Sequence, residues 1–225
     1  MMSRNLAFFT LMLCGMANLA RPDANDPHSD LTAQLEQMGA ADQEVRNKIT
    51  PFLKAGDLQS DEFAAAAQEI IKVDAENLTK LEKIIEQYGW PDVRLVGKDA
   101  SNAAFLILQH GPLTAQQKLL PTFREAVASG KARPPDLAML EDRVRTGEGK
   151  KQLYGTQITM GPDGKPRVSP IEDPQNLEAR RAAVGLPPMS VYLELIQSEV
   201  GQEIDRSALT APAVPDSSLK QAPNE

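Results

Sequence analysis

A polar pair, Gln109 and His110, ends the most apolar stretch of the chain. The residues before it, 103–108, are all apolar, and such an unbroken run predicts a helix buried on all sides. The C-terminus of a helix favours a protonated imidazole whereas burial favours the neutral form, so we expect His110 to titrate near neutrality. His110 is therefore either a functional group at a pocket rim or a helix-end histidine hydrogen-bonded to a carbonyl group.

Three charged residues further along the chain are also candidates. Asp142 and Arg143 lie on a predicted helix, and at 100° per residue Asp142 points away from its apolar side while Arg143 lies at the edge of that side. Spacing alone therefore predicts that Asp142 is exposed. Arg181 shares an apolar stripe with Leu177 and Val184, so its guanidinium faces the core, where it must pair with a carboxylate or bind an anion.

The segment QLYGTQ, residues 152–157, opens a run in which Tyr154, Thr156, Ile158 and Met160 alternate with the residues between them. That period of two predicts a strand over about 153–160, with Tyr154 and Gln157 on opposite faces. Gly155 leaves room for a close approach of backbone or ligand. The segment is therefore either a bulged edge strand or an edge that binds a ligand.

Together these positions define a candidate site of seven polar side chains: Gln109, His110, Asp142, Arg143, Tyr154, Gln157 and Arg181. In a hydrolase or transferase, His110 would act as general base and Asp142 would orient it, with the other side chains contacting an oxyanion or ligand. In a binding protein, the same set would recognise a small polar or anionic molecule or a protein. No nucleophile motif and no glycine-rich phosphate loop occurs, so the sequence leaves open whether the protein is an enzyme.

Neither a cofactor nor a metal site is expected. His110 is the sole histidine of the predicted folded region, and Cys14 is the sole cysteine of the chain. A zinc site needs several nitrogen or sulfur ligands at defined spacing, and the sequence contains no such set.

The first 20 residues have the three parts of an export signal. Arg4 lies in a short basic head, residues 6–13 are mostly apolar, and small residues follow as far as Ala20. This apolar run is shorter than the ~20 residues that span a bilayer, so we expect a periplasmic or secreted protein without a stable membrane span. Lipidation of Cys14 is the alternative; otherwise cleavage removes the cysteine and with it any disulfide or thiol chemistry.

Composition and periodicity predict a mainly α protein with one helical domain at about 30–206, between a flexible leader at 21–29 and a disordered tail at 207–225. A formal charge of -7 does not favour binding to nucleic acid. We expect seven to eight helices and a small β-hairpin near 151–169. The predicted helices cover about 30–49, a short segment after Ser60, a third segment ending before Gly89, 99–110, 114–129, 135–146, 173–184 and 190–203.

Five fragments resemble a bacterial family catalogued as domain of unknown function 6624: GWP at 89–91, AAFLILQH at 103–110, EDRV at 141–144, QLYGTQ at 152–157 and RRAAVGLPP at 180–188. The resemblance covers roughly residues 40–195, and its QH and YGTQ elements are the most distinctive. It implies a shared fold and draws attention to these positions, but it brings no activity with it.

Overall fold

The computed structural model describes residues 28–57, 59–161 and 163–210. Within them the protein is mainly α, with seven α-helices and one antiparallel hairpin, which confirms the predicted fold class. The predicted export signal, nearly all of the leader and residues 211–225 of the predicted tail lie outside the described residues.

The helices are α1 (Ser29–Ala55), α2 (Asp61–Tyr88), α3 (Val93–His110), α4 (Leu113–Ala128), α5 (Pro134–Gly147), α6 (Leu177–Ala183) and α7 (Met189–Val200). The hairpin pairs β1 (Ile158–Met160) with β2 (Pro166–Val168), and Ile158 lies opposite Val168. One 3₁₀ turn, Pro174–Asn176, precedes α6, and another, Ser207–Leu209, follows α7.

The main hydrophobic core lies among α1 to α5. One fully buried leucine comes from each of four helices: Leu35, Leu81, Leu108 and Leu140. The ring of Trp90 packs edge-on against Phe123 at 4.5 Å between centroids, and Phe105 stacks on Phe123 at 5.5 Å. A second cluster joins the hairpin to α6 and α7. The segment between α5 and β1 therefore lies where the two clusters meet.

Two predicted helices are in fact one, because α2 runs without a break from Asp61 to Tyr88. Its N-cap is Ser60, whose hydroxyl accepts a hydrogen bond from the backbone N–H of Phe63 at 3.2 Å. No glycine or proline interrupts the residues between the two predicted segments, and Ile70 continues the buried face between them. Prediction from short stretches of sequence therefore split one continuous helix into two.

The helix predicted from residue 99 begins earlier, at Val93. Asp92 is its N-cap, because the Asp92 carboxylate accepts hydrogen bonds from the backbone N–H groups of Arg94 and Leu95. Gly97 interrupts the helix with a φ of 79°, a conformation that glycine adopts without strain. The apolar run that follows is buried as predicted, except for the half-buried Leu106.

No helix in the described parts of the chain is long and apolar enough to cross a membrane.

Candidate functional site

His110 lies at the end of α3 and contacts a carboxylate on α1. Its Nδ1 is 2.9 Å from Oδ1 of Asp42, and the two side chains are 6% and 1% exposed. The N–H on Nδ1 would donate to this carboxylate, which makes Nε2 the basic nitrogen of the neutral ring. Asp42 was not among the predicted site residues, and it occupies the orienting position predicted for Asp142.

Asp42 belongs to a buried ionic network that crosses from α1 to α2. Arg46, one turn further along α1, contacts Asp42 at 2.8 Å and donates from Nη2 to both carboxylate oxygens of Asp74, at 2.9 and 3.1 Å. Burial lowers the pKa of His110; Asp42 opposes this, whereas the positive charges of Arg46 and Arg143 add to it. The ring is therefore neutral at physiological pH, as a general base or a hydrogen-bond acceptor must be.

Arg143 approaches the same end of α3 from α5. Its Nη1 donates to the backbone carbonyl oxygen of Gln109 at 3.0 Å. The two remaining groups, Nε and Nη2, are buried and have no hydrogen-bond partner in the described part of the chain. Burial and, to a smaller extent, the charge of Arg46 lower the pKa of Arg143 to about 10, and Tyr192 opposes the change. These two donors, Nε and Nη2, form a charged fork that has no acceptor among the described residues.

The charges at this end of α3 are unevenly distributed. With His110 neutral, the carboxylates of Asp42 and Asp74 balance the guanidinium groups of Arg46 and Arg143. Both carboxylates contact Arg46, whereas no carboxylate among the described residues lies within 4.0 Å of the Arg143 nitrogens. The positive charge of this cluster is consequently concentrated at Arg143.

Asp142, which spacing predicts to be exposed, is fully buried at 0% exposure. Its carboxylate accepts hydrogen bonds from the backbone N–H groups of Leu153, Tyr154 and Thr156, and from the Thr156 hydroxyl at 3.0 Å. Burial raises the pKa of Asp142, and these donors oppose the rise because they stabilise the ionised form. The prediction failed because a second layer, the segment 152–157, covers the side of α5 opposite its apolar stripe.

The segment 152–157 is a folded loop, so the strand predicted to start near residue 153 begins only at Ile158. The side chain of Gln152 closes the loop: its Nε2 donates to the carbonyl oxygens of Gln157 and Ser169, and its Oε1 accepts from the backbone N–H of Gln157 at 2.8 Å. Donation of the loop's N–H groups to Asp142 replaces the pairing that a strand would make.

Tyr154 and Gln157 occupy different surroundings in this loop. The Gln157 side chain is buried and donates to the Thr156 hydroxyl at 3.0 Å and weakly to the carbonyl oxygen of Met139 at 3.5 Å. Tyr154 is half-buried, and burial together with the charges of Glu141 and Asp142 raises its pKa. Neither side chain forms a hydrogen bond to Gln109, His110 or Arg143, so both belong to the loop rather than to the end of α3.

Arg181 is fully buried, as the stripe on α6 predicts, but it forms no ion pair with the described residues. Its Nε donates to the carbonyl oxygen of Pro187 at 2.8 Å and its Nη1 donates to that of Tyr154. The guanidinium lies 5.1 Å from the ring centroid of Tyr192, whose hydroxyl donates to the carbonyl oxygen of Thr156. The sequence predicted a carboxylate or an anion as the partner of Arg181. In the structure, two backbone carbonyl oxygens and the Tyr192 ring are its partners instead.

Gly155 has a φ of 70°, and a Cβ at this position would lie 3.0 Å from Sδ of Met189. The space beside the glycine is thus filled by the first residue of α7. The sequence left open whether neighbouring protein or a ligand approaches Gly155 closely. In the structure, the Met189 side chain does so.

The structure therefore separates the seven predicted residues into two groups. Gln109, His110 and Arg143 meet at the end of α3, whereas Asp142, Tyr154, Gln157 and Arg181 hold the loop against α5, α6 and α7. Asp42, Arg46 and Asp74 are the residues that the sequence analysis missed. The signal was present in α1, because Asp42 and Arg46 share a buried face with Leu35, Met38, Val45 and Ile49.

No group of three or more histidine, cysteine, aspartate or glutamate side chains within residues 28–57, 59–161 and 163–210 is arranged to hold a metal ion. Comparison with known families gives one finding: residues 29–205 match a model described as a Family of unknown function (DUF6624). No curated protein and no solved structure matches the chain.

Proposed function

The chain belongs to this family of unknown function (DUF6624), whose description names no activity, and we therefore propose from the geometry that the protein binds a small oxyanion at Arg143. The observation that carries the proposal is the pair of buried N–H groups, Nε and Nη2, that have no acceptor among the described residues. These two groups lie on the same edge of the guanidinium plane. Such an edge matches the two oxygens of a carboxylate or a phosphate.

The energetics favour a ligand over a structural role for this arginine. Burial of a charged group without a partner destabilises a protein, and burial lowers the pKa of Arg143, as expected when the charged form is disfavoured. The one acceptor it has, the Gln109 carbonyl oxygen, also accepts from the Gln116 side chain at 2.9 Å. Fold stability therefore does not require the Arg143 charge, whereas binding of an anion does.

The neighbouring network suits an anion site that responds to protons. An anion at Arg143 would counter the positive charge that now lowers the His110 pKa, and would therefore raise that pKa. Binding then becomes tighter as the pH falls toward the pKa of His110 in the complex, and the protein takes up protons on binding.

Titration calorimetry with sodium phosphate and, separately, sodium acetate, at constant ionic strength, tests the proposal. We expect the wild-type protein to bind at least one of the two anions at a single site. Arg143→Met removes the charge and the fork at similar size, so its binding should disappear. Arg143→Lys keeps the charge but loses the planar fork, so it should bind more weakly than wild type.

The matched control is Arg124→Met, which removes an exposed arginine paired with Glu141 on the surface. It should bind as wild type does. If Arg143→Met binds the anion as tightly as wild type and Arg124→Met, or if wild type binds neither anion, the site at Arg143 is disproved.

A second candidate function is a hydrolase or transferase that uses His110 as general base, and the Asp42 contact favours it. A neutral imidazole held by a carboxylate at Nδ1 presents Nε2 as the proton acceptor for water or a hydroxyl group. Arg143 would then stabilise negative charge that develops on the substrate.

Hydrolysis of nitrophenyl acetate and nitrophenyl phosphate by wild type and His110→Gln distinguishes the two functions. An enzyme should lose about 10² or more of its rate in the variant while its thermal unfolding stays cooperative. If wild type, His110→Gln and buffer alone hydrolyse both substrates at equal rates, the protein is not a hydrolase for them, and the binding function stands without turnover.

We also propose that the protein is exported through the N-terminal signal at residues 1–20 and acts in the periplasm or outside the cell. The proposal rests on the basic head, the apolar run and the small residues of that segment. The unknown ligand would then be a small molecule or a protein of that compartment.

A further inference from the structure

A cleft of about 270 Å³ opens beside the N-terminal half of α3. One wall is formed by the start of α3, and the other by the α4–α5 connection, residues 130–133. Its size lies near the lower end of the range for small-molecule pockets, ~300–1,000 Å³, so a small aromatic ligand of two or three rings would fill it.

The floor of the cleft is aromatic. Trp90, Phe105 and Phe123 line it, and all three belong to the main core. Rings held this rigidly offer an apolar surface on which a planar ligand can pack without ordering flexible side chains. Trp90 is also the sole tryptophan of the chain, so the tryptophan fluorescence of the protein originates in this cleft.

The rim of the cleft carries more positive than negative charge. Arg94 pairs with Asp92 at 3.3 Å, and Arg133 pairs with Asp136 through two hydrogen bonds. The other two basic groups of the lining are Lys98 and Lys131, which are both exposed; neither has an acidic partner among the described residues.

This excess is unusual in its setting, because the whole chain has a formal charge of -7. Four basic and two acidic side chains line the cleft, which gives a local charge of about +2. Opposite walls supply the two unpaired lysines, Lys98 from α3 and Lys131 from the α4–α5 connection. A ligand on the aromatic floor would therefore lie between two ammonium groups.

The cleft is separate from the site at Arg143. His110 lies twelve positions after Lys98 in α3, which corresponds to ~18 Å along a helix. Arg143 itself is two turns beyond Asp136 on α5 and does not line the cleft. The two regions can consequently be altered independently.

We propose that this cleft is a second binding site, which takes a small planar ligand bearing an anionic group. The ring system packs on Trp90, Phe105 and Phe123, and the anionic group lies between Lys98 and Lys131. Neither the floor nor the two lysines is used by the oxyanion site.

Energy transfer from Trp90 to anilinonaphthalene sulfonate, an aromatic sulfonate, tests this site directly. With tryptophan excited selectively, we expect saturable quenching of Trp90 and emission from the bound dye. Lys98→Ala/Lys131→Ala should weaken binding about tenfold, which is the effect of losing about 1.4 kcal/mol of attraction. Both lysines are exposed, so the fold should tolerate the change.

Two controls make the result specific. Lys72→Ala/Lys80→Ala removes two exposed lysines of α2 that do not line the cleft, and it should bind the dye as wild type does. Phenylnaphthylamine, which has the same rings without the sulfonate, should bind wild type and Lys98→Ala/Lys131→Ala equally. Unchanged sulfonate affinity in Lys98→Ala/Lys131→Ala, or dye binding without energy transfer from Trp90, would overturn the proposal.

Discussion

Two arginines, the half-buried Arg143 and the fully buried Arg181, differ in how many of their N–H groups the fold uses. Arg181 donates from Nε and Nη1 to carbonyl oxygens and packs on the Tyr192 ring, so it links α6, the 152–157 loop and α7. Arg143 donates from Nη1 alone and keeps a complete edge of two donors. The same residue type therefore holds the structure in one place and presents a fork in the other.

His110 should make the stability of the fold depend on pH. Its pKa is lower in the folded protein than its ordinary value of 6.5, so the unfolded chain binds more protons between the two values. Its contribution is complete above about 6.5 and is lost as the pH falls through that value toward the folded pKa. We expect the free energy of unfolding to fall by up to about 1.4 kcal/mol per pH unit over that interval.

Urea unfolding of wild type and His110→Gln between pH 7.5 and 5 measures this term. Asp74, Asp136 and Asp142 have pKa values raised by burial, so they contribute with the opposite sign. Asp136 and Asp142 are common to both proteins, whereas the charge of His110 acts on the pKa of Asp74. The difference between the two proteins therefore reports the histidine together with its coupling to Asp74. Identical pH profiles would show that His110 is not held neutral by its surroundings.

For single residues, the sequence indicates which side chains belong to the site better than it indicates what those side chains contact. The position of Gln109 and His110 after an apolar run is sufficient to select them. The partner of His110 is 68 residues away in the chain, at Asp42, and no local pattern states which carboxylate reaches an imidazole across such a separation. Only the packing of α1 against α3 supplies that contact.

Helix periodicity predicts most of the elements correctly, and the errors share a physical origin. The helices of α4, α5 and α7 begin within one residue of their predicted starts, because proline, glycine and apolar period agree there. The segment 152–157 has a strand pattern, yet the Asp142 carboxylate takes its N–H groups. A buried tertiary acceptor overrides local β propensity, which sequence alone does not reveal.

Gly155 gives a test of how tightly this loop packs on α7. Gly155 and Gly164 both have positive φ, at 70° and 76°, so alanine at either position costs about 1–2 kcal/mol in backbone strain. A Cβ at Gly155 would also meet Met189, whereas nothing lies within 4 Å of one at Gly164. Gly155→Ala should therefore lower the free energy of unfolding by about 1 kcal/mol or more beyond the effect of Gly164→Ala.

Chemical unfolding monitored by circular dichroism gives both values. Gly164→Ala is the matched control because it shares the backbone conformation without the contact. Equal losses of stability in the two variants would mean that Met189 does not fill the space beside Gly155 in solution.

At the scale of the whole molecule, helices from distant parts of the chain meet at the end of α3. The network draws Asp42 and Arg46 from α1, Asp74 from α2 and Arg143 from α5. The apolar core below fixes these helices, while the loop and α6–α7 cover the other side of α5. Apolar packing already fixes these helices, and it therefore holds the buried donors of Arg143 in place.

Export predicts the mass of the mature protein. Expression of the full chain in a bacterial host should yield a periplasmic product that has lost roughly the first 20 residues, with cleavage near Ala17 or Ala20. Intact mass spectrometry measures this. A product that begins at Cys14 with added lipid mass would establish the alternative anchor, and a full-length cytoplasmic product would contradict export.

The most direct test of the central claim is the stability of Arg143→Met, measured by urea unfolding with and without phosphate. A fork kept for an anion is unfavourable in the free protein, so the variant should be more stable than wild type by about 1–3 kcal/mol without phosphate. Phosphate should then stabilise wild type and leave Arg143→Met unchanged. A variant less stable than wild type, with an equal response to phosphate, would show that Arg143 serves the fold and that the anion binds elsewhere.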